Sequence, residues 1–438
     1  MKQASFSPRT AIAVVIANMI GTGVFTSLGF QLLDIQSPFV LIMLWVVGGL
    51  TALCGALTYA ELGAALPRSG GEYNFLTQIY HPGAGFVSGW ISATIGFAAP
   101  TALAAITFGT YLASVFPLLS PTWLASFLLI GLTAVHASTR RNSGGLQRAF
   151  TALKILLILG FCLLAWVLVD EPQDVTFLPV RGDGELLFSG AFAISLIYVN
   201  YAYSGWNAAT YLTSELERPQ QTLPSVLIYG TLIVLVLYVL LNFTFLYVAP
   251  MTALAGKLEI GYVSAQYIFG DIGAAVMGVA LAMLLISTVS AMVLAGPRVL
   301  HVIGQDFPLF SWLARTNKHG VPDIAIGLQS VISLLFIWSA SFESILVFAG
   351  FTLGLNTFFT VLGVFILRRT RPDLPRPYKV SFYPLPPIIF LGFTGWTLTY
   401  ILLERPNEGL MGLAIVASGA VFYAATRWLG RRRSQPAA

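Results

Sequence analysis

The sequence predicts an all-α integral membrane protein of about twelve transmembrane helices. Three observations carry this. Of its 438 residues, 57% are hydrophobic and only 9% charged, against about 25% charged in a soluble domain. Its apolar stretches run about 20 residues or longer, the length of a helical span rather than of a barrel strand. Two spans, five apart in order, carry polar and glycine residues at mid-length.

The expected spans lie roughly at 10–33, 38–64, 83–115, 122–138, 149–169, 187–213, 224–249, 272–296, 322–340, 343–368, 384–403 and 409–428. The gaps are too short for a soluble domain. With a cytoplasmic N-terminus, all of the 23 Lys and Arg except Arg181, Lys257, Arg405 and the intramembrane Lys154 fall on the inner side. That bias predicts both termini in the cytoplasm and an even number of spans. The basic balance therefore reflects topology, and no nucleic-acid partner is expected; lipid is. Cys54 and Cys162 fall inside spans and read neither as disulfide partners nor as metal ligands. The N-terminus lacks a cleavage site after a short apolar core, so the first span is expected to be retained.

Span 1 contains Ile20-Gly21-Thr22-Gly23. Each Gly weakens a helix by roughly 1 kcal/mol relative to Ala, so a break is expected here. Span 2 ends in Tyr59-Ala60-Glu61-Leu62, followed by Pro67-Arg68-Ser69-Gly70-Gly71-Glu72-Tyr73. Glu61, Arg68 and Glu72 are expected to cluster on the inner side, as a solvated interfacial group or as a salt-bridged gate. A basic turn, Thr139 to Gly145, joins spans 4 and 5. Span 5 carries Lys154, about one turn in; it either snorkels to the interface or marks a functional site. Span 6 is interrupted at Tyr201-Ala202-Tyr203-Ser204-Gly205-Trp206-Asn207. Span 8 holds Ser287, Thr288 and Ser290, whose hydroxyls either bond back to their own helix or serve a site. Span 10 holds Asn356.

Five spans separate the starts of the two interrupted helices, so they cross in opposite directions. This is the pattern of an inverted repeat with a broken helix heading each half. The expected division is 1–170 for the first five-helix repeat, 187–380 for the second, and 381–438 for helices 11 and 12 with a basic tail. Broken backbone in a bilayer must line a cavity or meet a ligand. The new helix start near Thr22-Gly23 offers N–H groups and a positive dipole end to a carboxylate. Carbonyls near Tyr201-Ala202-Tyr203, with that of Ile20, can receive an ammonium. Together they describe a free α-amino acid. Tyr201, Tyr203 and Trp206 are large enough to cover it. No acidic group is expected near either break, which favours a neutral side chain. Four scattered histidines and the lack of any nucleotide-binding motif argue against an enzyme, a metal site or a cofactor.

These motifs, in this order, resemble the amino acid–polyamine–organocation superfamily, and within it the L-amino acid transporter branch. The resemblance covers nearly the whole chain. It runs through Ile20 to Phe25, Tyr59 to Tyr73, Tyr201 to Asn207, Thr213 to Pro224, Leu237 to Asn242 and Arg376-Pro377-Tyr378-Lys379-Val380. It implies a LeuT-type fold of ten core spans plus two, and sodium-independent amino acid transport by alternating access, with exchange of neutral L-amino acids. It also implies that Lys154 stands where sodium-coupled relatives bind sodium, and that Tyr238 links it to the substrate site. Ser204 replaces the branch's usual Gly. Gly304-Gln305-Asp306-Phe307-Pro308 departs from the branch's inner-gate motif. The short 3–4 link, Phe116 to Thr122, has no Cys for a disulfide-linked accessory subunit. A stand-alone prokaryotic inner-membrane member is expected. Proton-coupled symport and a non-transporting membrane sensor are the rival readings.

Overall fold

A computed structural model describes residues 7–138 and 144–433. The basic positions Lys2, Arg140 and Arg141 lie outside the described residues, as do the side chains of Arg148 and Arg431 to Arg433. The described residues form helices and no strands.

The first half comprises α1 (Pro8–Met19), α2 (Gly23–Asp34), α3 (Pro38–Ala65), α4 (Gly71–Ile79), α5 (Pro82–Ile91), α6 (Ala98–Val115), α7 (Pro121–Ser138) and α8 (Gly144–Leu168). The second comprises α9 (Asp183–Leu187), α10 (Gly190–Tyr203), α11 (Pro219–Val248), α12 (Met251–Leu254), α13 (Ile260–Asp306), α14 (Asp323–Ser339) and α15 (Phe342–Thr370). Two further helices follow, α16 (Leu385–Glu404) and α17 (Pro406–Arg433). Among the described residues ten helical stretches are long and apolar enough to span a bilayer. The two other expected spans are present in altered form. Span 6 stops at Tyr203 and resumes only as a 3₁₀ segment, Ala208–Glu215, and α14 has 17 residues. Span 8 is longer than expected: α13 has 47 residues, because its helix begins at Ile260 and passes through a kink at Gly270 (φ 66°).

Local chemistry explains the boundaries. Ser7 and Ser37 cap α1 and α3 through their side chains, and Pro8 and Pro38 occupy the first helical position. A π-helical turn, Ser92–Gly96, interrupts the third span between α5 and α6. Such turns recur at functional sites.

The packing of the first half has counterparts in the second. α1 lies against α11 and α8, as α10 lies against α3 and α15. α6 packs along α13, and α7 along α14. The largest buried side chains, including Trp45, Tyr59, Tyr203 and Tyr238, surround the two broken helices. Large apolar residues such as Leu156, Leu163, Val276 and Leu335 cover the outside, as expected of a surface solvated by lipid.

Candidate functional site: two helix breaks around one cavity

The breaks meet at close quarters. A Cβ at Gly23 would stand 2.5 Å from Ala202 Cα, and one at Gly205 would stand 2.9 Å from the Asn18 carbonyl. Gly205 also has φ +98°, which side chains rarely adopt. Glycine therefore allows each broken helix to touch the other's backbone. Around this crossing lies a cavity of about 240 Å³.

Nine of the eleven residues of the two break motifs line that cavity: Gly21, Thr22, Gly23, Tyr201, Ala202, Ser204, Gly205, Trp206 and Asn207. At the start of α2 the Phe25 N–H is taken by Thr22 O (2.9 Å), while the N–H groups of Gly23 and Val24 have no preceding helical turn to accept them and sit at the positive end of its dipole. The other two residues face elsewhere. The Tyr203 hydroxyl donates to Trp45 O (3.0 Å), and its ring is wholly buried, so it covers nothing in the main cavity. The Ile20 carbonyl is already taken, by Lys154. Ile20 does not line the main cavity, so the structure does not bring its carbonyl to the place expected for a substrate ammonium.

Lys154 turns inward rather than snorkelling. Its side chain is 4% exposed, and its Nζ donates to Ile20 O (2.8 Å) and to Thr288 Oγ1 (2.9 Å). Of the three span-8 hydroxyls only Thr288 joins it. Ser287 donates to Leu284 O in its own helix (2.9 Å), and Ser290 bonds His136 Nε2 of α7 (2.8 Å). Helical geometry turns about 100° per residue, so neighbours of Thr288 necessarily point elsewhere. Tyr238 bridges both breaks: its Oη lies 2.5 Å from Met19 O and 3.2 Å from Ala202 O.

The expected Glu61–Arg68–Glu72 cluster does not form. Glu61, fully buried, pairs with Arg368 at the end of α15 (2.8 and 2.5 Å), lies 3.6 Å from Arg376 Nε, and accepts from Val380 N–H (2.7 Å). Arg68 is exposed. Glu72, 1% exposed, instead lines the main cavity, where it accepts from Tyr59 Oη (3.0 Å), Asn207 and the Tyr211 hydroxyl. An acidic group is thus present beside the breaks, contrary to expectation. Its local signal was the paired glycines ahead of it: Gly70 (φ +117°) and Gly71 (φ +52°) turn the chain so that α4 presents Glu72 inward. Asn18, Ser92 and Asn356 also line the cavity. The Asn18 amide donates to Val14 O (2.8 Å), which leaves its carbonyl oxygen available.

Two antiparallel broken helices around a central cavity, in a bundle of membrane-length helices, define a secondary transporter. Residues 6–421 match the family described as Amino acid permease, and the chain belongs to that family. It is a multi-pass membrane transporter and not an enzyme. Among its relatives are "Large neutral amino acids transporter small subunit 2" of Homo sapiens, 29% identical over 94% of this chain and 78% of the relative. "b(0,+)-type amino acid transporter 1" of Mus musculus is 27% identical over 94% and 86%. "Asc-type amino acid transporter 1" of Mus musculus is 28% identical over 98% and 81%.

Proposed function

We propose that this protein is a sodium-independent exchanger of neutral L-amino acids that works by alternating access. The observation that carries the reading is the start of α2 at Gly23, with Gly21 and Thr22 before it, in the wall of a cavity shared with Tyr201, Ala202 and Ser204 to Asn207. There the free N–H groups receive the substrate carboxylate. The Asn18 carbonyl oxygen and the end of α10 offer acceptors for its ammonium. Lys154 supplies a fixed cation at the span-1 break and takes the place of a metal ion. Glu72 already accepts three hydrogen bonds, so it is poorly placed to pair with a cationic side chain, which favours neutral substrates. One relative's name specifies large neutral amino acids, and the other two name amino acid transporters without specifying neutral substrates.

The chain is read as two five-helix repeats, 1–170 and 187–380, with 381–438 appended. It stands alone in a bacterial inner membrane with both termini cytoplasmic. Proton-coupled symport is the second reading, favoured by a buried carboxylate, Glu72, on the cavity wall. Proteoliposomes separate the two. Exchange predicts uptake of labelled amino acid only with unlabelled amino acid inside. Uptake driven by a pH gradient into empty vesicles would overturn it.

A further inference from the structure

A second chamber, about 70 Å³, lies behind the main cavity, between α10, α15, α3 and α16. Tyr201, Ser204 and Trp206 line both spaces. Phe390, Thr394 and Thr397 of α16 form the far wall. The Thr397 hydroxyl is fully buried and has no hydrogen-bond partner. Two other threonines of the chamber behave otherwise: Thr51 donates to Val47 O (2.8 Å), and Thr357 to Leu353 O (3.1 Å) or Gly354 O (3.0 Å). Back-bonding of this kind is the ordinary fate of a hydroxyl on a membrane helix. Thr397 thus keeps a free donor in the buried wall of the chamber, where an unmade hydrogen bond is costly. At the mouth, Ser204 adds a hydroxyl on the bend where span 6 leaves its helix.

We propose that this chamber receives the substrate side chain and selects a short neutral one ending in a hydroxyl or amide oxygen, which accepts the Thr397 hydrogen. The inference rests on the reading of the main cavity as the amino acid site. A site with a waiting donor discriminates against an isosteric apolar group, because that group leaves the donor unpaired. The chamber's small volume sets the length limit.

Threonine and valine are nearly isosteric, so wild-type protein in proteoliposomes is the first test. Exchange of labelled L-threonine should exceed that of L-valine by about tenfold, the ratio that one hydrogen bond to a waiting donor supports. L-asparagine should compete better than L-leucine. In Thr397→Val the threonine-to-valine ratio should fall to near one, and Thr397→Ser should restore it. Valine exchanged as fast as threonine by the wild type overturns the inference, whether or not the variants fold. So does a ratio unchanged in Thr397→Val. Absence of exchange for every amino acid would instead overturn the transport reading.

Discussion

The two helix breaks solve one problem in opposite ways. In span 1 the interruption is three residues long, Ile20 to Thr22, and an α-helix resumes at Gly23. Its loose carbonyls are held by a cation and a hydroxyl: Lys154 on Ile20 O and Tyr238 on Met19 O. In span 6 no α-helix resumes. The chain continues as a 3₁₀ segment with a further irregularity at Leu212, and a carboxylate, Glu72, holds Asn207 and Tyr211. The 3₁₀ form has poorer hydrogen-bond geometry than the α form. Span 1 thus resumes as regular α-helix with its loose carbonyls tied, whereas the second half of span 6 keeps the weaker hydrogen-bond geometry.

That contrast can be broken at its strongest point by Lys154→Ala. The change leaves Ile20 O and Thr288 without their charged partner, and loss of such a bond is worth about 1.5–3 kcal/mol. The initial rate of exchange should fall by roughly 10- to 100-fold, and an unchanged rate would return Lys154 to a packing role. Next come the glycines. Gly23→Ala and Gly205→Ala push against Ala202 and Asn18 backbone, while Gly21→Ala meets nothing nearer than 3.9 Å. The first two should lower the melting temperature of the detergent-solubilised protein by several degrees and depress exchange about tenfold, from a cost of about 1–3 kcal/mol. Equal behaviour of all three variants would contradict the crossing.

A milder effect is expected at Glu72→Gln. The amide oxygen can keep the bonds from Tyr59 and Asn207, but the NH2 group then replaces the oxygen that accepts from the Tyr211 hydroxyl. Exchange should slow about three- to tenfold, on the order of one hydrogen bond. Equilibrium binding of a neutral amino acid should change less than the rate, since the loosened part is the second half of span 6. A loss confined to binding would move Glu72 from a holding role to direct substrate contact. Smallest of all is Ser290→Ala. It faces His136 and not Lys154, so its rate should stay within about twofold, whereas Thr288→Val should lose several-fold.

Much of this arrangement was legible in residue order. Apolar length located the spans, and the glycines of span 1 and the polar run of span 6 located both breaks. What escaped were contacts that only tertiary packing creates. Glu61 and Glu72 look alike along the chain, yet one meets arginines from α15 and the following link, and the other meets tyrosines at the cavity. Ser287, Thr288 and Ser290 look equivalent until helical phase separates them. Tyr203 looks like a lid until its partner, the Trp45 carbonyl, is seen on α3.

The Glu61 cluster bears on how the chain is made. Its carboxylate is fully buried in the finished protein, and its bidentate partner Arg368 lies 307 residues further along. At about 5–20 residues per second, ribosomes deliver that arginine some ~15–60 s later. Throughout that interval the acid lacks its partner, and the high cost of burying a lone carboxylate favours a hydrated position at the membrane surface. The end of α3 thus gains its charged partners only once the tenth span and its trailing link have been made.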